Sequence, residues 1–384
     1  MSGLRIAILA HSTSPRGGVV HALELGDALT RLGHEAVVHA PDPHGAGFFR
    51  STLCETRPLP ASPVGPDTAA MVHARVGDYL RHFESCANRR FDIFHAQDSI
   101  SGNALATMKQ KGLIGRFART VHHIDHFSDP RLTALQHHAI TAADTHFVVS
   151  RHWQDHLAQG LGIQAHLVGN GVDLARFTAA PQPGDAALRK RFALAGGPVF
   201  LSIGGIEQRK NTLRTLQAFQ LLLASHSGAQ LIIAGGASLL DHSSYQQAFY
   251  TTLAASGLPQ NAVVVTGPLP QVDMPALYRI ADALVFPSVK EGFGLVVLEA
   301  MASDLPVITS RIAPFTEYLD VNDVIWCDPL DATSIAAAMA QVVLPECRPK
   351  LIQSGARVAA RHDWQTTAQA HLTVYARMKD LTHA

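Results

Sequence analysis

Asp282–Ser310 reads DALVFPSVKEGFGLVVLEAMASDLPVITS: an apolar run, a Gly-Phe-Gly turn, a run at helical spacing and a second apolar run. That order is the repeating unit of a parallel sheet, because a parallel neighbour needs a helical crossover to bring the chain back. Two acids lie eight positions apart within it, Glu291 at the turn and Glu299 on the helix. They read as an acid and base, as a pair of acceptors for ligand hydroxyls, or as a loop acid beside an unrelated helix-surface acid. A glycosidase pair must flank the scissile bond from opposite sides. Side by side on one strand-turn-helix unit, these two fit hydroxyl recognition better.

Working outward, the same alternation occurs twice. The first half offers strands at RIAILA, EAVVHA, FDIFHAQ, RTVHH, HFVVS and AHLVG, and the second at PVFLSIGG, AQLIIAGG, AVVVTG, DALVFPS, LPVITS and DVIWCD. Helical stretches separate them, one of which, VVHALELGDALTRLG, ends at Gly33 as a C-terminal stop. The fold class expected is α/β, with two doubly wound Rossmann-like domains facing across a cleft. The Pro- and Gly-rich TAAPQPGDAA, Thr178–Ala187, marks the join. The division expected is 1–177, a linker at 178–190, 191–362, and a last amphipathic helix within 363–384. Pro41–Asp67 reads as a long Pro-rich interruption of the kind that tends to be functional or mobile.

Composition excludes several classes. Lys plus Arg and Asp plus Glu stand at 31 each, so no basic excess argues for nucleic acid or an anionic membrane. The four cysteines form no C-x-x-C and suit a reducing cytoplasm. Met1–Ala10 is too short for a signal-peptide core, and no apolar run approaches the roughly 18 residues of a membrane span. The chain reads as cytoplasmic, with peripheral membrane contact left open.

In doubly wound sheets, ligands sit beyond the carboxyl ends of the strands, where glycine turns open helices whose free N–H groups attract anions. Gly17 and Gly18 follow the first strand in HSTSPRGGVV, a weak signal alone and not a G-x-G-x-x-G. Gly292 and Gly294 open the helix of the starting stretch. Arg209 and Lys210 in GGIEQRKN precede another helix, either as a plain surface pair or as cations for a diphosphate. No D-x-D suggests a metal-held diphosphate, and the histidines of TVHHIDHF lack metal-ligand spacing, so no metal and no cofactor are expected.

Glycine turn, strand-end histidine, NGVDLARF, the R-K pair and PSVKEGFGLVVLEAMASDLPVITS resemble, in that order, the retaining glycosyltransferases of family 4, glycogen-synthase-like transferases with the GT-B fold. The resemblance spans nearly the whole chain. It implies a hexosyltransferase that moves a sugar from a nucleotide-diphosphate sugar, UDP- or GDP-linked, to a hydroxyl acceptor without metal. By similarity, the catalytic set is His122, Lys210 and Glu291. Gly17, Gly18, Arg209, Lys210, Glu291, Gly292, Phe293, Gly294, Leu295 and Glu299 bind the donor. Glu291 meets the sugar hydroxyls, Glu299 the ribose, amides around Phe293, Gly294 and Leu295 the sugar and phosphate, and Lys210 the diphosphate. His122 bonds the sugar near its reacting carbon, and the last helix crosses back onto the first domain. Where many members have Gly-Arg, this chain has Gly204 and Gly205, which casts Arg209 as the replacement cation. Asp98 in FHAQDS is a tentative acceptor contact. A nucleotide-sugar epimerase, a phosphorylase and a non-catalytic nucleotide-sugar-binding protein are the alternatives. The base, the sugar, the acceptor and the oligomeric state are left open.

Overall fold

Apolar runs whose side chains are buried on both faces become parallel strands, since helical crossovers cover each side. In the computed structural model, which describes residues 3–236 and 242–380, they form two sheets. The first holds β1 (Arg5–Leu9), β2 (Glu35–Asp42), β3 (Glu55–Pro60), β4 (Ile93–Ala96), β5 (Ala118–Val121), β6 (Thr145–Val148) and β7 (His166–Leu167), in spatial order β3-β2-β1-β4-β5-β6-β7. The second holds β8 (Val199–Ile203), β9 (Gln230–Ala234), β10 (Val263–Gly267), β11 (Ala283–Phe286), β12 (Val307–Ser310) and β13 (Ile325–Cys327), in order β10-β9-β8-β11-β12-β13. All pairings are parallel. This is the two-domain Rossmann-like α/β architecture expected.

Chain order reverses once in each sheet, between β1 and β4 and between β8 and β11. At such a reversal the two following helices lie on opposite faces, which opens a crevice beyond the strand ends. The sequence therefore dictates where each unit can take a ligand.

The chain divides into Met1–Asn170 with Trp364–Ala384, and Gly171–Asp363. In the second unit Phe200, Leu231, Ile233, Val285 and Ile308 form a core with Leu216, Phe219 and Met339. Each such side chain stabilises the unit by about 1.5–3 kcal/mol on burial. In the first, Phe94, Tyr79, Phe83 and Met108 do the same. The final helix, Trp364–Asp380, belongs to the first unit and buries Trp364, Ala368, His371, Val374, Tyr375 and Met378. It returns to the first domain as the resemblance implies.

Two expectations differ from the structure. The Pro-rich segment 41–67 is not a continuous loop: Glu55–Pro60 pairs with β2 as an edge strand, where proline costs no ladder bond on the open side. Asp27, on helix Gly17–Arg31, anchors its entry by accepting from the Leu53 and Cys54 amides at 2.7 and 3.0 Å. The 178–190 stretch is not an extended linker either, because Pro183–Arg191 is a helix with proline in its first turn and a capping box from Gln182 and Asp185. Arg279 clamps Asp185 from within the same unit at 2.8 Å. The units part instead at Asn170 and Gly171.

No described helix is long and apolar enough to cross a membrane.

Candidate functional site

At the reversal of the second sheet, β8 ends in Gly204 and Gly205, at φ +123° and +74°. A Cβ on Gly204 would lie 2.8 Å from Lys210 Cε, and one on Gly205 would lie 2.9 Å from the Gly236 carbonyl. Both positions need glycine, for the left-handed turn and for the close approach. A side chain at Gly205, such as the arginine that the resemblance implies, would meet the Gly236 backbone. The turn delivers Arg209 and Lys210 to the start of helix Thr212–Leu223. Asn211 then ties this loop to the one after β11, donating to the Pro287 and Pro329 carbonyls at 3.1 and 2.6 Å.

From the other side of the reversal, β11 leads to Glu291. Its Oε1 accepts from Lys210 Nζ at 2.7 Å and from Arg209 Nη1 at 2.9 Å, and the residue is 6 % exposed. Burial pushes this carboxyl up, but Arg209 and Lys210 together outweigh it and hold it down at about 2. Burial likewise lowers Lys210 to about 8 against the pull of Glu291. All three groups are therefore charged at neutral pH. The ammonium also sits 4.4 Å from the Phe286 ring centre, a cation–π contact. Glu207 is buried, 3.9 Å from Arg209.

Gly294 turns the chain into helix Leu295–Ala302 at φ +96°. A Cβ there would fall 2.5 Å from Phe315 Cε1. Phe293 stacks on Tyr318 at 4.8 Å, and the Tyr318 hydroxyl donates to the Phe293 carbonyl at 3.1 Å. Those contacts fix the backbone around Gly292, Phe293, Gly294 and Leu295, whose helix leaves its first amides without intrahelical partners. Glu299, further along, accepts the Tyr278 hydroxyl. Burial raises its pKa, with Tyr278 and Arg176 opposing. Glu291, Lys210 and Arg209 thus meet directly, while Glu299, on the same strand-turn-helix unit as Glu291, has partners from outside that unit, Tyr278 on helix Met274–Arg279 and Arg176.

In the first unit Gly17 and Gly18 open helix Gly17–Arg31, which no side chain caps. A Cβ on Gly18 would meet His122 Cδ2 at 3.5 Å, an ordinary contact, and one on Gly17 would meet nothing. Glycine here leaves open space next to His122. His122 follows β5 and donates from Nε2 to Gln97 Oε1 at 2.9 Å. Burial, aided by His21 and His123, drives its pKa well below the ordinary 6.5, so the ring is neutral. His123 pairs with Asp125 at 3.2 Å instead. Asp98 serves the fold, capping helix Ser99–Gln110 in a capping box with Ser101, and its other oxygen lies 3.7 Å from His11. Among the described residues no cluster of His, Cys, Asp or Glu could hold a metal ion.

Sequence reading missed Tyr278 and Gln97. Tyr278 lies 21 residues from Glu299 with no spacing to connect them, and Gln97, although at a strand end, is an amide without acid–base chemistry. Only the strand-end position signals it.

The description "Glycosyl transferases group 1" matches residues 185–358, and "Glycosyltransferase Family 4" matches 15–176. A glycogen synthase of Mycobacterium tuberculosis is 28 % identical over 90 % of this chain and 81 % of its own. A D-inositol 3-phosphate glycosyltransferase of Xylanimonas cellulosilytica is 27 % identical over 98 % of this chain and 97 % of its own. Among solved structures, Anabaena HepE with UDP and glucose superposes with a TM-score of 0.77 at 17 % identity, covering 97 % of this chain and 99 % of that one. Sucrose-phosphate synthase of Thermosynechococcus elongatus gives 0.79 at 20 %, covering 97 % and 98 %. The two matched regions together take in every strand after β1 and every candidate donor residue from Gly17 to Glu299, and the chain belongs to the family 4 glycosyltransferases of the GT-B fold.

Proposed function

We propose that this transferase takes its sugar from a nucleotide-diphosphate donor, UDP- or GDP-linked, and passes it to a hydroxyl acceptor with retained anomeric configuration and no metal at the diphosphate. The observation that carries this is the Lys210–Glu291–Arg209 cluster at the sheet reversal, with Glu299 on the same strand-turn-helix unit. Lys210 has three N–H donors and spends one on Glu291. The others, with the amides at Gly294 and Leu295, suit a diphosphate. Glu291 and Glu299 are hydroxyl acceptors for sugar and ribose. His122, beside the open space at Gly18, is the group that the family resemblance assigns to the sugar.

As the bond from the anomeric carbon to the diphosphate breaks, negative charge grows on phosphate and positive charge on the sugar. Fixed cations stabilise the former without reorganising. An acceptor hydroxyl attacks on the face the diphosphate leaves, and its proton passes to the departing phosphate oxygen. That step needs no protein nucleophile and retains configuration.

A thermal-shift panel of UDP-glucose, UDP-N-acetylglucosamine, GDP-mannose and ADP-glucose tests this reading. A donor at a hundred times its Kd stabilises the fold by about 2.7 kcal/mol, a rise of a few degrees. Indifference to all four would overturn the proposal.

A further inference from the structure

A run of hydrogen bonds joins the last helix to His122 inside the first unit. The Tyr375 hydroxyl lies 2.5 Å from His95 Nδ1. His95 Nε2 lies 2.7 Å from Thr120 Oγ1 and 3.5 Å from the Gln97 amide nitrogen. Gln97 Oε1 then accepts from His122 Nε2 at 2.9 Å. Tyr375, His95, Thr120 and Gln97 are all at most 2 % exposed, so water does not compete for these bonds.

Donor and acceptor capacities fix the protons along this run. An amide oxygen only accepts, so His122 carries its proton on Nε2 and a lone pair on Nδ1. The amide nitrogen only donates, so the His95 Nε2 that it faces is bare and also accepts the Thr120 hydroxyl proton. His95 therefore holds its proton on Nδ1 and donates it to the Tyr375 oxygen. Turning the Gln97 amide over would put donor against donor at His122 and acceptor against lone pair at His95, and would move both ring protons. The amide selects between two tautomers, and the Tyr375 oxygen can accept from His95 Nδ1 in the one described here.

We propose that Gln97, backed through His95 by Tyr375 of the C-terminal helix, is a positioning residue that holds His122 as the Nε2–H tautomer and presents Nδ1 as the acceptor for a donor-sugar hydroxyl. The inference rests on the proposed contact between His122 and the sugar. The neighbouring His21, whose ring meets His122 edge-on at 4.8 Å, is itself tied through Nδ1 to Asn170 at 2.6 Å, so it does not compete for the Gln97 oxygen.

The test is ¹⁵N NMR of the full chain labelled at histidine, with His122 assigned by the signal lost in His122→Ala, combined with release of UDP from UDP-glucose or GDP from GDP-mannose. Intact protein shows His122 protonated at Nε2. Gln97→Leu gives a mixture of tautomers and a kcat about tenfold lower, the worth of one hydrogen bond, with KM for the donor within about twofold. Gln97→Glu restores the tautomer, and its charge raises the His122 pKa, so the acid limb of the pH profile moves to higher pH. Tyr375→Phe acts in the same direction as Gln97→Leu, by about threefold, and carries the test if the Leu variant fails to fold. Nδ1-protonated His122 in the intact protein, or an unchanged tautomer in both variants, overturns the inference. Undiminished turnover in His122→Ala instead overturns the role given to His122 itself, while the spectrum still decides the tautomer.

Discussion

The two units share one topology at their sheet reversals and give it opposite electrostatics. At its reversal the second unit gathers Glu291, Lys210 and Arg209, all charged at neutral pH. The first unit packs His21, His95, His122 and His371 together as neutral rings, with ring centres between 4.8 and 5.8 Å apart from His122 through His21 and His371 to His95. One concentrates charge of both signs. The other keeps charge away from a place where polar contacts still have to be made. A diphosphate developing charge needs fixed cations, whereas a sugar carbon gaining positive character is not helped by imidazolium.

The largest expected effect comes from breaking the charged side. Lys210→Ala leaves the buried Glu291 with one cation and removes the proposed diphosphate donor, so kcat for donor turnover is expected to fall about 10²–10³-fold, the range for losing one preorganised charge contact. A loss under threefold in steady-state assays would show that the cluster serves the fold alone.

Acid separates the units next. His21 and His371 are lowered to about 4 and about 3 by burial, and His95 and His122 well below 6.5. The unfolded chain takes up these protons below pH 6.5 and the folded unit does not. Stability of the first unit is thus full above pH 6.5 and falls as pH drops from there toward 4, by roughly 1.4 kcal/mol per pH unit for each histidine. Glu291, depressed to about 2, contributes stability that is full above about 4.5 and is lost only between there and 2. Hydrogen exchange at stepped pH is expected to show protection lost in 3–170 before 171–363. The reverse order would contradict the assignment of neutral histidines.

A smaller effect follows at Gly294. Alanine there combines a left-handed φ with a contact at 2.5 Å to Phe315, which costs about 1–3 kcal/mol. A thermal melt of Gly294→Ala reports this as a fall of several degrees, carried by the second unit.

The sequence made the charged half of this comparison legible and left the neutral half obscure. Eleven of the thirteen strands follow from apolar runs of four to eight residues closed by glycine, proline or polar turns, and β7 from the tail of such a run. β3, ETRPLP, was unreadable because an edge strand needs neither apolar alternation nor a full ladder. Helix Pro183–Arg191 hid because its proline and glycine, normally breakers, occupy the first turn, where they cost little. Glu291, Lys210 and Arg209 announced themselves by charge beside glycine turns. The supporting residues did not: Asn211 beside the Arg209–Lys210 loop, Tyr278 at Glu299 and Gln97 at His122 are ordinary residues in sequence and acquire meaning only when strands and helices distant in the chain are brought together.

Calorimetric titration of UDP and GDP into the intact protein and into Glu299→Ala bears most directly on where the donor sits. One of the two nucleotides is expected to bind the intact protein, and to bind the variant about tenfold more weakly, the value of a hydrogen bond from a ribose hydroxyl to a carboxylate. Equal affinity in the two proteins, with the variant's fold intact, would contradict the placement of the nucleotide on the strand-turn-helix unit that holds both acids.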